Sequence, residues 1–122
     1  MNIHESGEDY LETILVLCEE QGSARSVDIA AHLGVTKPSV SFAMKKLREN
    51  GYIHMGDDNR ITLTEMGEQI ARRMLERHRL LAGFLVRLGV SEEVARTDAC
   101  KIEHDLSDET FAAIQRHVEQ YS

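Results

Sequence analysis

Three side chains near the end of the sequence have the types and the spacing that suit a metal ion. Cys100, Glu103 and His104 stand at positions i, i+3 and i+4, and residues at these spacings share one face of a helix. A thiolate, a carboxylate and an imidazole together suit Fe²⁺, Zn²⁺, Co²⁺ or Ni²⁺, and Mn²⁺ can also use them. The same pattern fits an ordinary amphipathic helix with a small buried cysteine and a solvated Glu-His pair. The three residues alone leave both interpretations open.

Further candidate ligands lie elsewhere in the chain. Asp9 and Glu12 are three residues apart near the start of the first predicted helix. His78 lies among the apolar residues of a long predicted helix later in the chain. Each has a plainer explanation, because most such acidic pairs form a solvated helix edge and most such histidines are hydrogen-bonded core residues. No phosphate-binding glycine loop and no Ser-His-Asp spacing typical of a hydrolase is present, so the sequence does not predict an enzyme.

Composition limits the class of protein. The chain has 122 residues, 42% of them hydrophobic, with a net charge of −7, which suits one compact domain or two small ones. No run of about 18 apolar residues predicts a membrane span, and Met1–Glu5 lacks the basic and apolar regions of an export signal. Cys18 and Cys100 are too few for a disulfide framework. We therefore expect a cytoplasmic protein with free thiols.

The first half of the chain has the pattern of a helix-turn-helix. Ser or Thr precedes each of three stretches with helical apolar spacing, and Gly34 stands where the second should end. The predicted helices span residues 7–21, 27–33 and 37–50, with Ser6, Ser26 and Thr36 as their N-caps. The third carries exposed hydroxyl and basic groups, as does a helix that enters the major groove of DNA. An ordinary helical hairpin is the alternative.

A predicted hairpin follows at once and favours DNA binding. Residues 52–55 and 60–63 are β-prone runs around Gly56-Asp57-Asp58-Asn59, which has turn chemistry. A helix-turn-helix followed by a hairpin is a winged helix. Between residues 23 and 63 there are six basic and four acidic residues, although the acidic turn predicts only weak contact by the wing. The candidate DNA-contacting residues are Lys37, Ser39, Ser41, Lys45, Lys46 and Arg60.

The second half is predicted to be entirely helical. A long helix begins after Thr64, with Gly67 in its first turn where close packing is required, and ends near Gly89. Ser91 precedes a helix that carries the candidate ligands, and Ser107 precedes the last one. The final two helices are too short to enclose a core unaided, so their apolar faces predict homodimerisation. The predicted protein is mainly α with a small β-hairpin wing, divided into residues 1–63 and 64–122.

Three fragments together resemble one family. They are residues 8–12 (EDYLE), 77–81 (RHRLL) and 100–107 (CKIEHDLS), and they resemble the metal-dependent repressors of the diphtheria toxin repressor and manganese transport regulator family. The resemblance implies an N-terminal winged helix and a C-terminal helical metal-binding and dimerisation domain. It further implies a homodimer that binds palindromic operator DNA when loaded with Mn²⁺ or Fe²⁺ and controls metal-transport genes. The implied metal ligands are Asp9, Glu12, His78, Cys100, Glu103 and His104.

The implied metal site is a hybrid of two branches of that family. The manganese branch has a carboxylate where Cys100 stands, and the iron branch has methionine where Asp9 stands. Ala82 and Arg96 stand where the iron branch has ligands of an additional site, so we expect that site to be missing, and we expect no counterpart of that branch's extra C-terminal domain. In the manganese branch, carboxylates at the positions of Glu12 and Glu103 bridge two ions. By this resemblance, His78 would bind one of the two ions. The second ion would be bound by Asp9, Cys100 and His104.

The resemblance also implies how metal would control DNA binding. Without metal, the clustered carboxylates would repel each other. A bound metal ion would join the first helix to the second domain. In the homodimer, this would hold the two winged helices at the spacing of the operator half-sites. Zn²⁺ or Co²⁺ can substitute in vitro because both accept a thiolate. Two alternatives remain: a winged-helix protein without metal control, and a two-metal hydrolase. We expect no membrane partner and no small-molecule substrate.

Overall fold

The computed structural model describes residues 5–121, which form six helices and one two-stranded hairpin. The elements are α1 (Glu5–Gln21), α2 (Ser26–Leu33), α3 (Lys37–Glu49), β1 (Ile53–Met55), β2 (Ile61–Leu63), α4 (Glu65–Arg87), α5 (Glu92–Ile102) and α6 (Asp108–Gln120). This confirms the mainly helical fold with a hairpin wing. Within the described range, no helix combines the length and apolarity needed to cross a membrane. The expectation about an export signal rests on residues 1–4, which lie outside the described range, as does Ser122.

The chain forms two compact units, Met1–Arg73 and Met74–Ser122, and the division falls inside α4. The sequence instead suggests a boundary at the beginning of that helix. The first turns of α4 belong to the first unit because Gly67 packs against the backbone carbonyl of Tyr52 so closely that a Cβ atom there would collide with it. This contact agrees with the close packing expected at Gly67.

The first unit is built around α1, which packs against α2, α3 and β2. Its side chains Leu11 and Ile14 are fully buried, as is Ile61 of β2. The hairpin is antiparallel, and Ile61 also pairs with Ala24, whose N–H donates to the Ile61 carbonyl at 3.0 Å and whose carbonyl accepts from Ile61 N–H at 2.7 Å. The wing is therefore tied directly to the turn that precedes α2.

Several predicted helix ends are confirmed. Gly34 has a left-handed conformation (φ 68°) at the end of α2, which glycine adopts without steric cost. At the start of four helices, a Ser or Thr side chain accepts a hydrogen bond from the backbone N–H three residues later, as expected of an N-cap. These N-caps are Thr36, Thr64, Ser91 and Ser107.

Two predicted N-caps are wrong. The first helix begins at Glu5, so Ser6 lies inside its first turn. Ser26 is the first residue of α2, and the N-cap is Arg25, whose side chain makes no capping hydrogen bond. Ala24 pairs with Ile61, and this pairing keeps the backbone in an extended conformation through Arg25. The dihedral angles of Arg25 are φ −118° and ψ 154°. Helix α2 therefore starts one residue earlier than the serine suggests.

The second unit contains the rest of α4, with α5 and α6. Its core includes Met74, Leu81 and Phe111 together with two small residues of α5, Ala95 and Ala99. Both alanines are fully buried, so α5 adds little side-chain volume to the core at these two positions.

The prediction that one helix carries all three clustered ligands is only partly right. Helix α5 ends at Ile102, Glu103 is its C-cap, and His104 lies in the turn that follows. Glu103 keeps helical dihedral angles (φ −58°, ψ −28°), so its spacing from Cys100 remains that of a helix.

Candidate metal centre

Three side chains of different chemistry converge between α4 and the end of α5. His78 Nδ1 lies 3.0 Å from Glu103 Oε2 and 3.5 Å from Cys100 Sγ. One ligand atom from each residue lies within 4.8 Å of the other two. Metal–ligand bonds of about 2.0–2.3 Å in a tetrahedral site place donor atoms roughly 3–4 Å apart. The three donors are therefore near the separations that a single transition-metal ion requires.

Glu103 is the buried centre of this cluster. Its side chain is fully buried, and its two carboxylate oxygens face different imidazoles. Oε2 contacts His78, whereas Oε1 lies 3.4 Å from His104 Nε2. That second separation counts as an ion pair only for a protonated imidazole, and its geometry makes no hydrogen bond. Among the described residues, Oε1 has no hydrogen-bond partner.

An unsatisfied buried carboxylate oxygen is an atom to which a cation could bind. Leaving such an atom unpaired costs about 1–3 kcal/mol, and more when the group is charged. A divalent ion bound to Oε1 would remove that cost and would also accept His104 as a ligand. The donor set of thiolate, imidazole and carboxylate suits Fe²⁺, Zn²⁺ or Co²⁺, and Mn²⁺ accepts its oxygen and nitrogen donors. The residues therefore fit a divalent transition-metal ion.

Arg77 holds the backbone that presents these ligands. Arg77 is 2% exposed, and its Nη1 donates to the carbonyls of Glu103 (3.1 Å) and Leu106 (2.8 Å). Nη2 donates to Asp108 Oδ1 at 2.6 Å, and the guanidinium lies over the ring of Phe111, 5.0 Å from its centroid. One side chain of α4 thus fixes both ends of the turn between α5 and α6.

Sequence reasoning missed the role of Arg77. A signal was available, because Arg77 follows Met74 by three residues and precedes Leu81 by four, and both of these are buried. An arginine on a buried helical stripe needs hydrogen-bond acceptors for its guanidinium group. The pattern could have predicted a structural arginine, although not which carbonyls it would bind.

The position of Cys100 bears on how the ligands would be grouped. The resemblance implies that Cys100 shares an ion with His104 and that His78 serves the other ion. In the structure the Cys100 thiol lies beside His78, and the assignment of these side chains to one ion or two stays a prediction. Asp9 and Glu12 lie on α1 in the first unit, and both are half-buried. Their part in metal binding stays a prediction.

All the candidate DNA-contacting residues are on the surface of the first unit. Five belong to α3, whose inner stripe is buried, and the sixth lies beside the turn of the wing. They are Lys37, Ser39, Ser41, Lys45, Lys46 and Arg60, and each is exposed. Arg60 Nε lies 3.1 Å from Asp58 Oδ2, and both side chains are more than half exposed. This pairing partly neutralises the wing, in keeping with the weak contact expected there.

A groove between α2, α3 and the wing adds two basic residues that sequence reasoning did not single out. Its volume is about 500 Å³, and its lining includes Arg25 and Arg48 beside Ser41 and Lys45. Arg48 follows Ser41 by seven residues, two helical turns, so the spacing placed it on the same side of α3. Arg25 is found only because its conformation before α2 brings it to the groove.

A winged helix with a basic groove, together with a helical unit that gathers a thiol, an imidazole and a buried carboxylate, defines a metal-regulated DNA-binding protein. Comparison with known families agrees. Residues 2–59 match the N-terminal DNA-binding domain of the iron-dependent repressors, and residues 64–122 match their metal-binding and dimerisation domain. The chain therefore belongs to the iron-dependent repressor family, which confirms the resemblance found in the sequence.

Relatives and solved structures agree with this assignment. The transcriptional regulator MntR of Salmonella typhimurium is 43% identical over 114 residues, covering 93% of this chain and 73% of the relative. An HTH-type transcriptional regulator of Methanocaldococcus jannaschii is 35% identical over 119 residues, covering 96% and 95%.

Among solved structures, a manganese-dependent transcriptional repressor in complex with manganese has a TM-score of 0.84 at 33% identity, over 93% of this chain and 52% of that one. The IdeR of T. acidophilum has a TM-score of 0.81 at 30% identity, over 99% and 55%. The chain thus spans about half the length of these two solved chains. Because the family consists of transcriptional regulators, the hydrolase interpretation is not favoured.

Proposed function

We propose that this chain is a metal-responsive transcriptional repressor, activated by Mn²⁺ or Fe²⁺. The observation that supports this most is the buried Glu103 carboxylate, whose two oxygens face His78 and His104 and one of which lacks a donor among the described residues. Most buried polar atoms in proteins have a hydrogen-bond partner, and a bound cation would supply one to this oxygen. A site that takes up and releases a cation leaves it available.

Six residues would hold the metal. The second unit supplies four of them, and α1 supplies two carboxylates. The proposed ligands are Asp9, Glu12, His78, Cys100, Glu103 and His104. The bound ion would supply positive charge where the carboxylates otherwise repel each other. Because α1 is also the central helix of the winged-helix unit, ligands on α1 make that unit respond to metal.

The proposed partners are operator DNA and a second copy of the chain. The exposed residues Lys37, Ser39, Ser41, Lys45, Lys46 and Arg60 would contact the duplex. A homodimer presents two such surfaces related by a two-fold axis, so the proposed operator is palindromic, with half-sites about one helical turn apart. Apolar side chains such as Leu88 and Val94, 65% and 49% exposed, are available to a dimer interface in the unit that matches the dimerisation domain. The proposed location is the cytoplasm, and the proposed targets are metal-transport genes.

Metal controls DNA binding only if it binds the DNA-competent arrangement more tightly than others. A coupling of about 1–3 kcal/mol is usual between such sites, and by reciprocity DNA must tighten metal binding by the same factor. This coupling corresponds to roughly a 5- to 150-fold change in affinity for the duplex.

The proposal is tested by measuring affinity for DNA with and without metal. The full chain is incubated anaerobically with Mn²⁺, Fe²⁺, Zn²⁺ or a chelator, and a randomised duplex pool is used to select binding sites. We expect selected duplexes to bind at least tenfold more tightly with Mn²⁺ or Fe²⁺ than with chelator, and Glu103→Gln to lose that difference.

The matched control is Glu109→Gln, because Glu109 is an exposed acid of α6 outside the ligand cluster. It should respond to metal as the unchanged chain does. Equal affinity with metal and with chelator would refute metal control while leaving DNA binding intact. A metal-dependent phosphoesterase activity without any duplex selection would refute the repressor altogether.

A further inference from the structure

One large apolar side chain stands alone on the outer face of α3. Phe42 is 63% exposed, although α3 buries a complete apolar stripe without it. The buried residues are Val40, Met44 and Leu47. At about 100° per residue, Phe42 lies nearly opposite that stripe. It therefore contributes little to the core of the unit.

The surroundings of Phe42 indicate what it contacts. The positions one helical turn before and after it on the same face are Pro38, Ser39, Lys45 and Lys46, all exposed. None of these four is acidic, and Lys46 Nζ lies 4.7 Å from the centroid of the Phe42 ring. An exposed aromatic ring flanked by two lysines fits a polyanion that also presents an apolar group.

Duplex DNA has such a group in its major groove. Thymine carries a C5-methyl group there, and apolar side chains recognise thymine through it. Lysines beside the ring can reach the phosphates on either side, which position the helix without reading sequence. Since α3 belongs to the region that matches the DNA-binding domain, we infer that Phe42 is a specificity residue that reads thymine through its C5-methyl group. This inference rests on the proposed DNA-binding function.

The inference makes a demand on the operator itself. Each half-site must contain at least one thymine at a position facing the middle of α3. Loss of that methyl group alone must weaken binding, even though every hydrogen-bonding atom of the base pair is kept. A contact to phosphate or to a hydrogen-bonding base edge would not respond to the methyl group.

The test replaces thymine with deoxyuridine, one position at a time, in duplexes selected by the Mn²⁺-loaded chain. Deoxyuridine pairs as thymine does and lacks only the methyl group. We expect the unchanged chain to bind about three- to fivefold more weakly when the contacted thymine is replaced, the scale of one buried methyl group. Phe42→Ala should bind both duplexes equally, and Phe42→Leu should keep part of the preference.

Lys45→Ala is the matched control on the same face of α3. It should weaken binding to all duplexes and reduce the salt slope by about one unit, while keeping the preference for thymine. Because Phe42 is exposed, the melting temperature of Phe42→Ala should stay within about 2 °C of the unchanged chain.

Two results would overturn the inference. One is equal binding of thymine and deoxyuridine duplexes by the unchanged chain at every position. The other is a preference for thymine that survives in Phe42→Ala. If Phe42→Ala binds too weakly to measure, the unchanged chain and Phe42→Leu decide the matter. If the Mn²⁺-loaded chain selects no duplex at all, the proposed function itself fails, which is a different outcome.

Discussion

The two cysteines of this chain differ in their surroundings, and the difference separates a candidate metal ligand from a core residue. Cys18 is half-buried in α1, and its thiol donates to the carbonyl of Ile61 at 3.7 Å. Burial raises the pKa of the Cys18 thiol above its ordinary value. Cys100 is exposed and lies beside the His78 imidazole. Only Cys100 is placed to bind a metal ion.

Metal should therefore protect one thiol and not the other from alkylation. We expect iodoacetamide at pH 8 to modify Cys100 faster than Cys18, whose raised pKa keeps it mostly protonated. Adding metal at about ten times its dissociation constant should slow modification of Cys100 roughly tenfold and leave Cys18 unchanged, with a chelator restoring the first rate. Peptide mass spectrometry over time measures both sites in one sample.

Cys18 is the internal control in that experiment. If DNA binding depends on metal while the rate at Cys100 does not, the thiol is not a ligand and the hybrid site is wrong. Equal slowing at both cysteines would indicate that metal only makes the whole chain more compact.

Arg77 shows how a residue outside the ligand set can control it. A lysine in its place offers one charged group for three acceptors that the guanidinium now satisfies. We expect Arg77→Lys to lower the free energy of unfolding by about 2–4 kcal/mol. Metal affinity of the folded chain should fall about 10- to 100-fold, as it does when groups that orient ligands are lost.

Arg87→Lys is the control, because Arg87 is an exposed arginine at the end of the same helix. Urea titration gives stability, and calorimetric metal titration at low temperature gives affinity. If Arg77→Lys unfolds more easily but binds metal as the unchanged chain does, Arg77 supports the fold alone.

At the scale of helices and strands, the sequence predicted best what depends on neighbouring residues. Thr36, Ser91 and Ser107 cap their helices because each needs only a backbone N–H three residues away. The prediction of Ser26 as a cap was wrong because Ala24 pairs with Ile61, which is distant in the sequence. That pairing sets the backbone conformation before α2.

The end of α5 was missed for a related reason. Arg77 binds the carbonyls of Glu103 and Leu106 from 26 and 29 residues away. No local pattern carries that information. The proximity of Cys100 and Glu103 was therefore predictable from spacing, whereas the position of His78 beside them was not. That these residues bind a metal ion stays a prediction.

Two glycines of α4 give opposite expectations for the same substitution. A Cβ at Gly67 would collide with the Tyr52 carbonyl, whereas a Cβ at Gly83 would meet nothing within 4 Å. We expect Gly67→Ala to destabilise the protein by about 1–3 kcal/mol through overpacking. Gly83→Ala should stabilise it by about 0.5–1 kcal/mol, because alanine is the better helix former.

Urea unfolding at one fixed protein concentration measures both variants, since dimerisation makes stability depend on concentration. A stabilising Gly67→Ala would mean that α4 is not held against the wing in solution. A strongly destabilising Gly83→Ala would mean that another surface covers that position.

At the scale of the whole molecule, the chain combines features of two kinds of metal-dependent repressor. It is 43% identical to a relative named MntR over 93% of its own length, and its fold matches a solved manganese-dependent repressor. Its second unit nevertheless places a thiol in the cluster with His78 and Glu103. A thiolate is a softer ligand than Mn²⁺ prefers, whereas the carboxylate of Asp9 is a hard one. These two residues should pull metal preference in opposite directions.

Two substitutions separate these contributions. Cys100→Glu replaces the soft donor with a hard one, so we expect the DNA affinity measured with Mn²⁺ to rise relative to that measured with Fe²⁺ or Zn²⁺. Asp9→Met does the reverse and should lower the Mn²⁺ response relative to the other two. A shift of about tenfold in the ratio corresponds to 1.4 kcal/mol, a modest share of one metal–ligand interaction. Anaerobic fluorescence anisotropy with a duplex chosen by the unchanged chain measures all combinations. Each variant changes only one of the six candidate ligands. If both substitutions shifted the ratio of affinities in the same direction, metal choice would be set by something other than donor hardness at these two positions.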